Sequence, residues 1–464
     1  MIHPLKVYIR TFGCQMNTYD SQKILEIMQA ALGMQETNNP EEADLLVLNT
    51  CSVREKPQEK VFSELGIWNG FKKRKPGIVI AVGGCVATQE GKNIIRRAPY
   101  VDIVFGPQTL HKLPQLYTQA KTSTKKIVDT EFQAAEKFAN LPQPKIAGPI
   151  ASITIMEGCN KYCSYCIVPY TRGREVSRKI EEILAECEFL SNQGVKEITF
   201  LGQNVNDYQH ANYNFAALLR ETAKINGIER IRFMTSYPTG ISDEIIELYA
   251  AEPKISSYMH LPVQSGSDKI LQAMRRRYTI AEYKETVAKL RKVRPDILIT
   301  SDFIVGFPGE TEEDFQATMD LVKEIDFDIS YSFMYSPRPK TLAAKLVDDV
   351  PLAIKKQRLK ILQDQLNLQA IQHAEKLVGT VQMVLIEGQA KYQKNQLTGR
   401  ADNNRVVNFD ISKYCSRRSF YKSGVAILAK PEACVSNYND LIGKIIPIKI
   451  TRALKFTLFG EINK

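Results

Sequence analysis

Histidine is scarce in this chain. There are five, at His3, His111, His210, His260 and His373, and none lies near the densest group of cysteines. Long apolar runs are missing too. No stretch of 18 apolar residues occurs, so no transmembrane helix is indicated. No low-complexity tract interrupts the chain. The first residues, Met1 to Lys6, lead straight into a strand-like run and do not read as a secretory signal. Paired cysteines are also absent: nine is an odd number, irregularly spaced along 464 residues, which argues against a disulfide framework. What remains is a globular protein expected in a reducing cytoplasm, long enough for two to four domains.

The chain does contain Cys159-x3-Cys163-x2-Cys166, three thiols within eight residues. Thiolates this close can share one metal centre. A structural zinc site takes four protein ligands, so this triad would need a remote fourth. A cubane iron–sulfur cluster normally takes four cysteines, so three would leave one iron open. Both readings stand on spacing alone.

A second triad is dispersed. Lys6–Phe12 is strand-like and runs into Gly13-Cys14. Leu45–Thr50 runs into Cys51, and Ile78–Val82 into Gly83-Gly84-Cys85. Helical patterns lie between, which argues for a parallel α/β sheet. The cysteines are 37 and 34 residues apart, about one βα repeat each. Parallel strands put their C-terminal ends on one edge, where open α/β sheets bind ligands. Three thiols just past three strand ends should converge there; the alternative is three buried core cysteines. The run Phe71–Gly77 reads as a basic loop, and 119–149, with four Pro/Gly near its end, as a linker.

From 150 to 375, strand-like runs near 150–156, 196–201, 229–235, 255–261, 297–305 and 328–335 alternate with helical patterns. Six βα units suggest an open or partial α/β barrel, with its site at the C-terminal strand ends. Those ends carry the Cys159–Cys166 loop, Gly202-Gln203-Asn204, Thr235-Ser236, Gln264-Ser265-Gly266, Ser301-Asp302, Gly306–Gly309 and Tyr335-Ser336. Arg172-Gly173-Arg174 and Arg275-Arg276-Arg277 read as basic loops near the same rim, able to clamp an anion or to lie on the surface. Cys187 falls on the apolar face of a helix and reads as core. After an amphipathic helix over 353–378, short strands with intervening glycines suggest a small β-barrel. Net charge is +11, and residues 376–464 hold fifteen Lys/Arg against six Asp/Glu, a net of +9. A basic small β-barrel points to RNA. Cys415 and Cys434 lie here singly and read as structural.

These residues carry a family resemblance. Cys159-x3-Cys163-x2-Cys166 resembles the signature of radical S-adenosylmethionine (SAM) enzymes. Cys14, Cys51 and Cys85 resemble the auxiliary-cluster ligands of methylthiotransferases. Thr11–Asn17, Asn49–Glu55, Val168–Gly173, Leu201–Val205, His260–Ser267 and Gly399–Arg405 are similar to strings of the branch that acts on isopentenyl-adenosine in tRNA. The resemblance runs from about residue 6 to 462. Two positions depart from it: Tyr237, where His is frequent, and Lys340, where Gly is usual.

The resemblance implies an N-terminal methylthiotransferase domain (1–120), a linker (121–149), a partial (βα)6 radical-SAM barrel (150–378) and a C-terminal RNA-binding TRAM barrel (379–464). It implies two [4Fe-4S] clusters, one on each cysteine triad, with SAM chelated at the open iron of the Cys159/Cys163/Cys166 cluster. Gln203, Asn204 and Tyr165 are expected to contact SAM; ordinary loop packing is the alternative for Tyr165. Reductive cleavage of SAM would give a 5′-deoxyadenosyl radical that activates adenine C2–H. The auxiliary cluster would supply or carry sulfur, and a second SAM the methyl group. The product would be a 2-methylthio-isopentenyl-adenosine just 3′ of the tRNA anticodon (position 37). Implied partners are the anticodon stem-loop and an electron donor such as flavodoxin or ferredoxin, with no membrane and a monomeric chain. Rival expectations are the same chemistry on threonylcarbamoyl-adenosine or a ribosomal-protein aspartate, and a non-catalytic, zinc-stabilised RNA-binding protein.

Overall fold

The computed structural model describes residues 4–51, 55–132, 134–146, 148–391, 396–410, 420–422, 425–427 and 440–463. Cys415 and Cys434 lie outside these residues.

The first unit is a six-stranded, wholly parallel sheet. Its strands are β1 (Lys6–Thr11), β2 (Gln35–Glu36), β3 (Leu45–Thr50), β4 (Val79–Gly84), β5 (Ile103–Phe105) and β6 (Ile127–Asp129), in the order β2-β1-β3-β4-β5-β6. β3 and β4 are buried along their whole length, which is why they read as unbroken apolar runs. Alternation then divides their side chains. Leu45, Val47, Val79 and Ala81 join one core layer with Ile24 and Met28 of α1 (Gln15–Leu32). Leu46, Leu48, Ile80 and Val82 join the other with Val61, Leu65 and Trp68 of α2 (Glu55–Arg74).

Two expectations change here. β6 falls within the stretch read as linker; at three residues, flanked by lysines, it was too short to register as a strand. The basic stretch from Phe71 begins as the last turn of α2. Lys72 pairs with Asp102, Arg74 with Glu41 at 2.6 Å and Lys75 with Asp44 at 2.9 Å, so its cations are tied into the fold.

The central unit is an open parallel barrel. β7 (Ile150–Thr154), β8 (Glu197–Leu201) and β9 (Arg230–Phe233) form one sheet. β10 (Tyr258–His260) pairs with β11 (Leu298–Thr300), and β12 (Asp302–Val305) with β13 (Tyr331–Met334). Single bridges, Ile231 to Ile255 and Gln264 to Phe303, join the three groups. Ser301 divides the strand expected over 297–305, so six units are made from seven strand segments. Cys187 is fully buried in the barrel core, as its helical face requires. A long helix, Leu352–Lys376, packs back on this unit through Arg358, bonded to Glu310 at 2.8 Å, and Gln369, bonded to the Val322 carbonyl at 2.8 Å.

The last unit is a closed barrel of five strands: β14 (Val381–Gln389), β15 (Gln396–Ala401), β16 (Val406–Asp410), β17 (Ile445–Ala453) and β18 (Thr457–Ile462). Its turn after Ala401 is docked on the N-terminal ends of the central strands. Arg230 and Arg232 both pair with Glu197 and donate to the carbonyls of Arg400 (3.0 Å) and Asp402 (3.1 Å). The Asp402 carboxylate accepts from the Ser257 amide at 2.7 Å. Arg405, 2% exposed, pairs with Asp328. The string Gly399–Arg405 is therefore a docking element, and some of the C-terminal positive charge is internal.

Candidate active site: two cysteine triads at one barrel edge

The dispersed triad is assembled by sheet register. Thr11, Asn49 and Gly83 stand side by side on β1, β3 and β4. Cys14, Cys51 and Cys85 lie three, two and two residues beyond that line, so one edge gathers all three. Cys14 caps α1, Cys51 follows β3, and Cys85 opens a short helix, α3 (Cys85–Glu90). An asparagine pair knits the edge together. Asn17 donates to Asn49 Oδ1 (3.2 Å) and the Thr50 carbonyl (3.1 Å); Asn49 donates to the Asn17 carbonyl (2.8 Å) and Ser21 Oγ (2.9 Å). The Cys14 thiol donates to Asn17 Oδ1 at 3.4 Å. Gly84, at φ +90°, has no room for a side chain: a Cβ would lie 2.3 Å from the Thr50 carbonyl oxygen. A hydrogen bond with Cys51 pulls the exposed Cys14 down to about 6, with help from Arg172. Burial pushes Cys85 up, opposed by Arg172.

The compact triad is held by loop packing. Ser164, between its second and third cysteines, donates from its amide to the Met274 carbonyl (2.9 Å) and from Oγ to the Ala273 carbonyl (2.8 Å). Its own carbonyl accepts from the Ala343 amide at 2.8 Å. The Cys159 amide donates to the Gly173 carbonyl at 3.3 Å. Gly158, at φ +82°, lies where a Cβ would come 2.0 Å from the Arg174 carbonyl oxygen. Burial pushes Cys159 up to about 11 and Cys166 up to about 12. Both thiols hold their protons tightly, so a bound metal cation would be what keeps them as thiolates.

Arg276 donates to Cys163 Sγ at 3.7 Å, to Tyr278 Oη at 2.9 Å and to the Pro262 carbonyl at 2.5 Å. It is buried, not a surface pair or an open anion clamp. The Tyr237 ring makes cation–π contacts with both this guanidinium (4.3 Å from the ring centre) and the Lys161 ammonium (4.9 Å). Its hydroxyl accepts from the Arg277 amide at 2.9 Å. Lys340 adopts φ +70°, the conformation that makes Gly usual there. Tyr165 packs against the cluster of Ile270, Met274, Phe307, Tyr335 and Ala343.

The remaining strand ends have two unusual properties. Thr235 and Gln264 hold φ of +71° and +76°, and a β-branched residue in that region is strained. Beside them are buried polar atoms with no hydrogen-bond partner among the described residues: Gln203 Nε2, both side-chain heteroatoms of Asn204, Ser236 Oγ and Tyr335 Oη. The other end of Gln203 accepts from the Gly158 amide at 2.6 Å, which aims it at the cysteine loop. Orphaned buried polar groups are costly, and here they fit a polar ligand.

The two triads share one edge. Met16, two residues after Cys14, packs on Leu201 and Met234 at the ends of β8 and β9. Arg172 belongs to the central unit, six residues after Cys166, yet it bonds Asp20 of α1, and its charge opposes the upward shift of Cys85. Among the described residues no three His, Cys, Asp or Glu side chains form a single-ion site. A multi-iron centre, several ångström across, needs its thiolates more widely spread than one ion does.

Residues 153–322 match the model of the radical SAM superfamily, and residues 6–106 that of the uncharacterized protein family UPF0004. A tRNA-2-methylthio-N(6)-dimethylallyladenosine synthase of Coxiella burnetii (strain RSA 493 / Nine Mile phase I) is 51% identical over 98% of this chain and 99% of its own length. One of Pasteurella multocida (strain Pm70) is 51% identical over 98% and 92%, and one of Legionella pneumophila (strain Paris) 55% identical over 87% and 92%. The chain belongs to the tRNA-2-methylthio-N(6)-dimethylallyladenosine synthase family. At the level of fold it also resembles TsrM, a radical SAM methyltransferase of Kitasatospora setae, with a TM-score of 0.55 at 15% identity, covering 82% of this chain and 78% of that one. This chain thus places one cysteine triad on the radical SAM barrel and the other on the α/β sheet packed over its strand ends.

Sequence reasoning missed Arg172, Arg276 and the buried partners Asp20, Lys137 and Glu157. The arginines stood out only as basic loops, because burial and ion pairing across 152 residues leave no local pattern.

Proposed function

We propose that this chain methylthiolates C2 of N6-isopentenyladenosine at position 37 of tRNA; its relatives are named as synthases of 2-methylthio-N(6)-dimethylallyladenosine in tRNA. The observation that carries the reading is the convergence of two cysteine triads on one barrel edge, beside a set of orphaned polar groups. Cys159, Cys163 and Cys166 hold one [4Fe-4S] centre, and Cys14, Cys51 and Cys85 the other. When bound, these centres and two SAM molecules supply the radical, the sulfur and the methyl group.

The chain's own residues do the rest. Gln203, Asn204 and Ser236 take the polar groups of SAM, satisfying atoms that otherwise stay orphaned. Asn17 and Asn49 fix the edge from which the second triad projects. The target base must leave its stack to enter the site. The C-terminal barrel contacts the anticodon stem-loop through phosphates, so binding weakens with salt. Among the described residues no helix is long and apolar enough to cross a membrane. We assign the chain to the cytoplasm as a monomer served by a flavodoxin- or ferredoxin-type electron donor. The functional units follow the fold: the parallel sheet to about residue 130, the radical SAM core over 150–378, and the RNA-binding barrel beyond.

Mass spectrometry of tRNA nucleosides from a strain lacking this chain tests the reading. The 2-methylthio-isopentenyl nucleoside should disappear and the unthiolated form accumulate. Unchanged nucleosides would sink it.

A further inference from the structure

Between the two triads lies a buried four-charge node. Arg172 bonds Asp20 Oδ2 and Glu157 Oε1, each at 2.7 Å; Lys137 bonds the same two carboxylates, Asp20 at 2.9 Å. All four side chains are at most 3% exposed. They come from four separate places: α1 of the first sheet, the short helix Ala134–Ala139, the residue before Gly158, and the turn after the helix Val168–Thr171. The helix that begins at Cys85 packs on Val168–Thr171, and Gln108 of the first unit donates to the Arg172 carbonyl.

The node is neutral in itself, two cations against two carboxylates. Its geometry is not symmetrical. Arg172 is the member placed towards the dispersed triad: it directly follows Val168–Thr171, on which the helix opened by Cys85 packs, and it bonds Asp20 of α1, the helix that Cys14 caps. Burial weakens water's screening, so its charge acts more strongly over short distances than a surface charge would. The compact triad has its own buried cation in Arg276, on Cys163.

We propose that Arg172 is a positioning residue for the auxiliary centre: it sets that centre's reduction potential from the other domain, independently of the SAM-binding centre. The inference rests on the two-centre reading above. A cation beside an iron–sulfur centre favours the reduced, more negative state, and hydrogen bonds and net charge around the sulfurs are the protein's means of setting potential. Because Arg172 is also bonded to Glu157, next to the Cys159 loop, the auxiliary potential becomes dependent on correct docking of the two domains.

The test is an EPR-monitored potentiometric titration, with dithionite as reductant, on full-length reconstituted protein. The auxiliary centre is isolated in a C159A/C163A/C166A background and the SAM centre in a C14A/C51A/C85A background. R172M should shift the auxiliary midpoint to more negative values, R172K should stay near the parent, and the SAM centre should not move in either. R172M leaves two buried carboxylates facing one cation and could fail to fold. R172Q/E157Q removes one charge of each sign, keeps the Lys137–Asp20 pair, and should show the same negative shift. An auxiliary midpoint unchanged in both variants would overturn the inference and reduce Arg172 to a domain clasp. If the C159A/C163A/C166A parent holds no iron at all, the two-centre reading fails with it.

Discussion

The two cysteine triads present the same three thiols to the same barrel edge by opposite means. One is written into eight consecutive residues and held by the packing of a single loop around Ser164. The other spans 72 residues and exists only because three parallel strands share a register line at Thr11, Asn49 and Gly83. The compact site depends on local chain geometry; the dispersed one depends on the sheet being complete. Their electrostatics differ at one thiol: burial raises the proton affinity of Cys159, Cys166 and Cys85 alike, whereas the Cys51 hydrogen bond, with Arg172, lowers that of Cys14. Each triad has a buried arginine, but only the dispersed one borrows its arginine from another domain.

Substitutions can break this comparison in graded steps. The largest effect belongs to Cys159→Ala. SAM cleavage should fall to background, and iron should drop from about eight to about four atoms per chain, since one of two four-iron centres is lost. Full iron content with cleavage retained would contradict the assignment. Gly84→Ala comes next. Its Cβ cannot be placed without moving the Thr50 backbone, and the added strain of roughly 1–3 kcal/mol falls on the sheet edge alone. Auxiliary iron should be lost while SAM cleavage persists; loss of cleavage first would show the triads to be less separable than described.

Asn17→Ala should act on the same edge with less force. It leaves Asn49 without one of its partners, at a cost of about 1–3 kcal/mol in a urea unfolding curve. No change in the midpoint would deny the asparagine pair its role. Tyr237→Phe, on the compact side, is the smallest. It removes one acceptor from the Arg277 amide and keeps the ring contacts with Arg276 and Lys161, so about 0.5–1.5 kcal/mol of stability should go, with SAM cleavage little altered.

Much of this was legible in the residues. The compact triad is a spacing, and spacing survives in sequence. The dispersed triad was legible for a different reason: each thiol follows a short apolar run, and a parallel sheet turns that repetition into proximity. Gly84 and Gly158 precede cysteines because the backbone there has no room for a side chain. The four-charge node was not legible. Asp20, Lys137, Glu157 and Arg172 carry no common pattern, and Lys137 sits in a stretch that read as linker. Their association is decided by how two domains meet, which no local window contains. For the same reason Gly399–Arg405 was recognisable as a string while its role, docking the small barrel on the strand starts, was not.

The central claim is that the two triads are separate centres with separate tasks. Protein carrying C14A/C51A/C85A tests it most directly, assayed for 5′-deoxyadenosine and for methylthiolated tRNA in one reaction. The account predicts about four iron atoms per chain, SAM cleavage retained, and no methylthiolated product. Methylthiolated tRNA from that protein, or loss of SAM cleavage from a folded chain that still holds its iron, would contradict it.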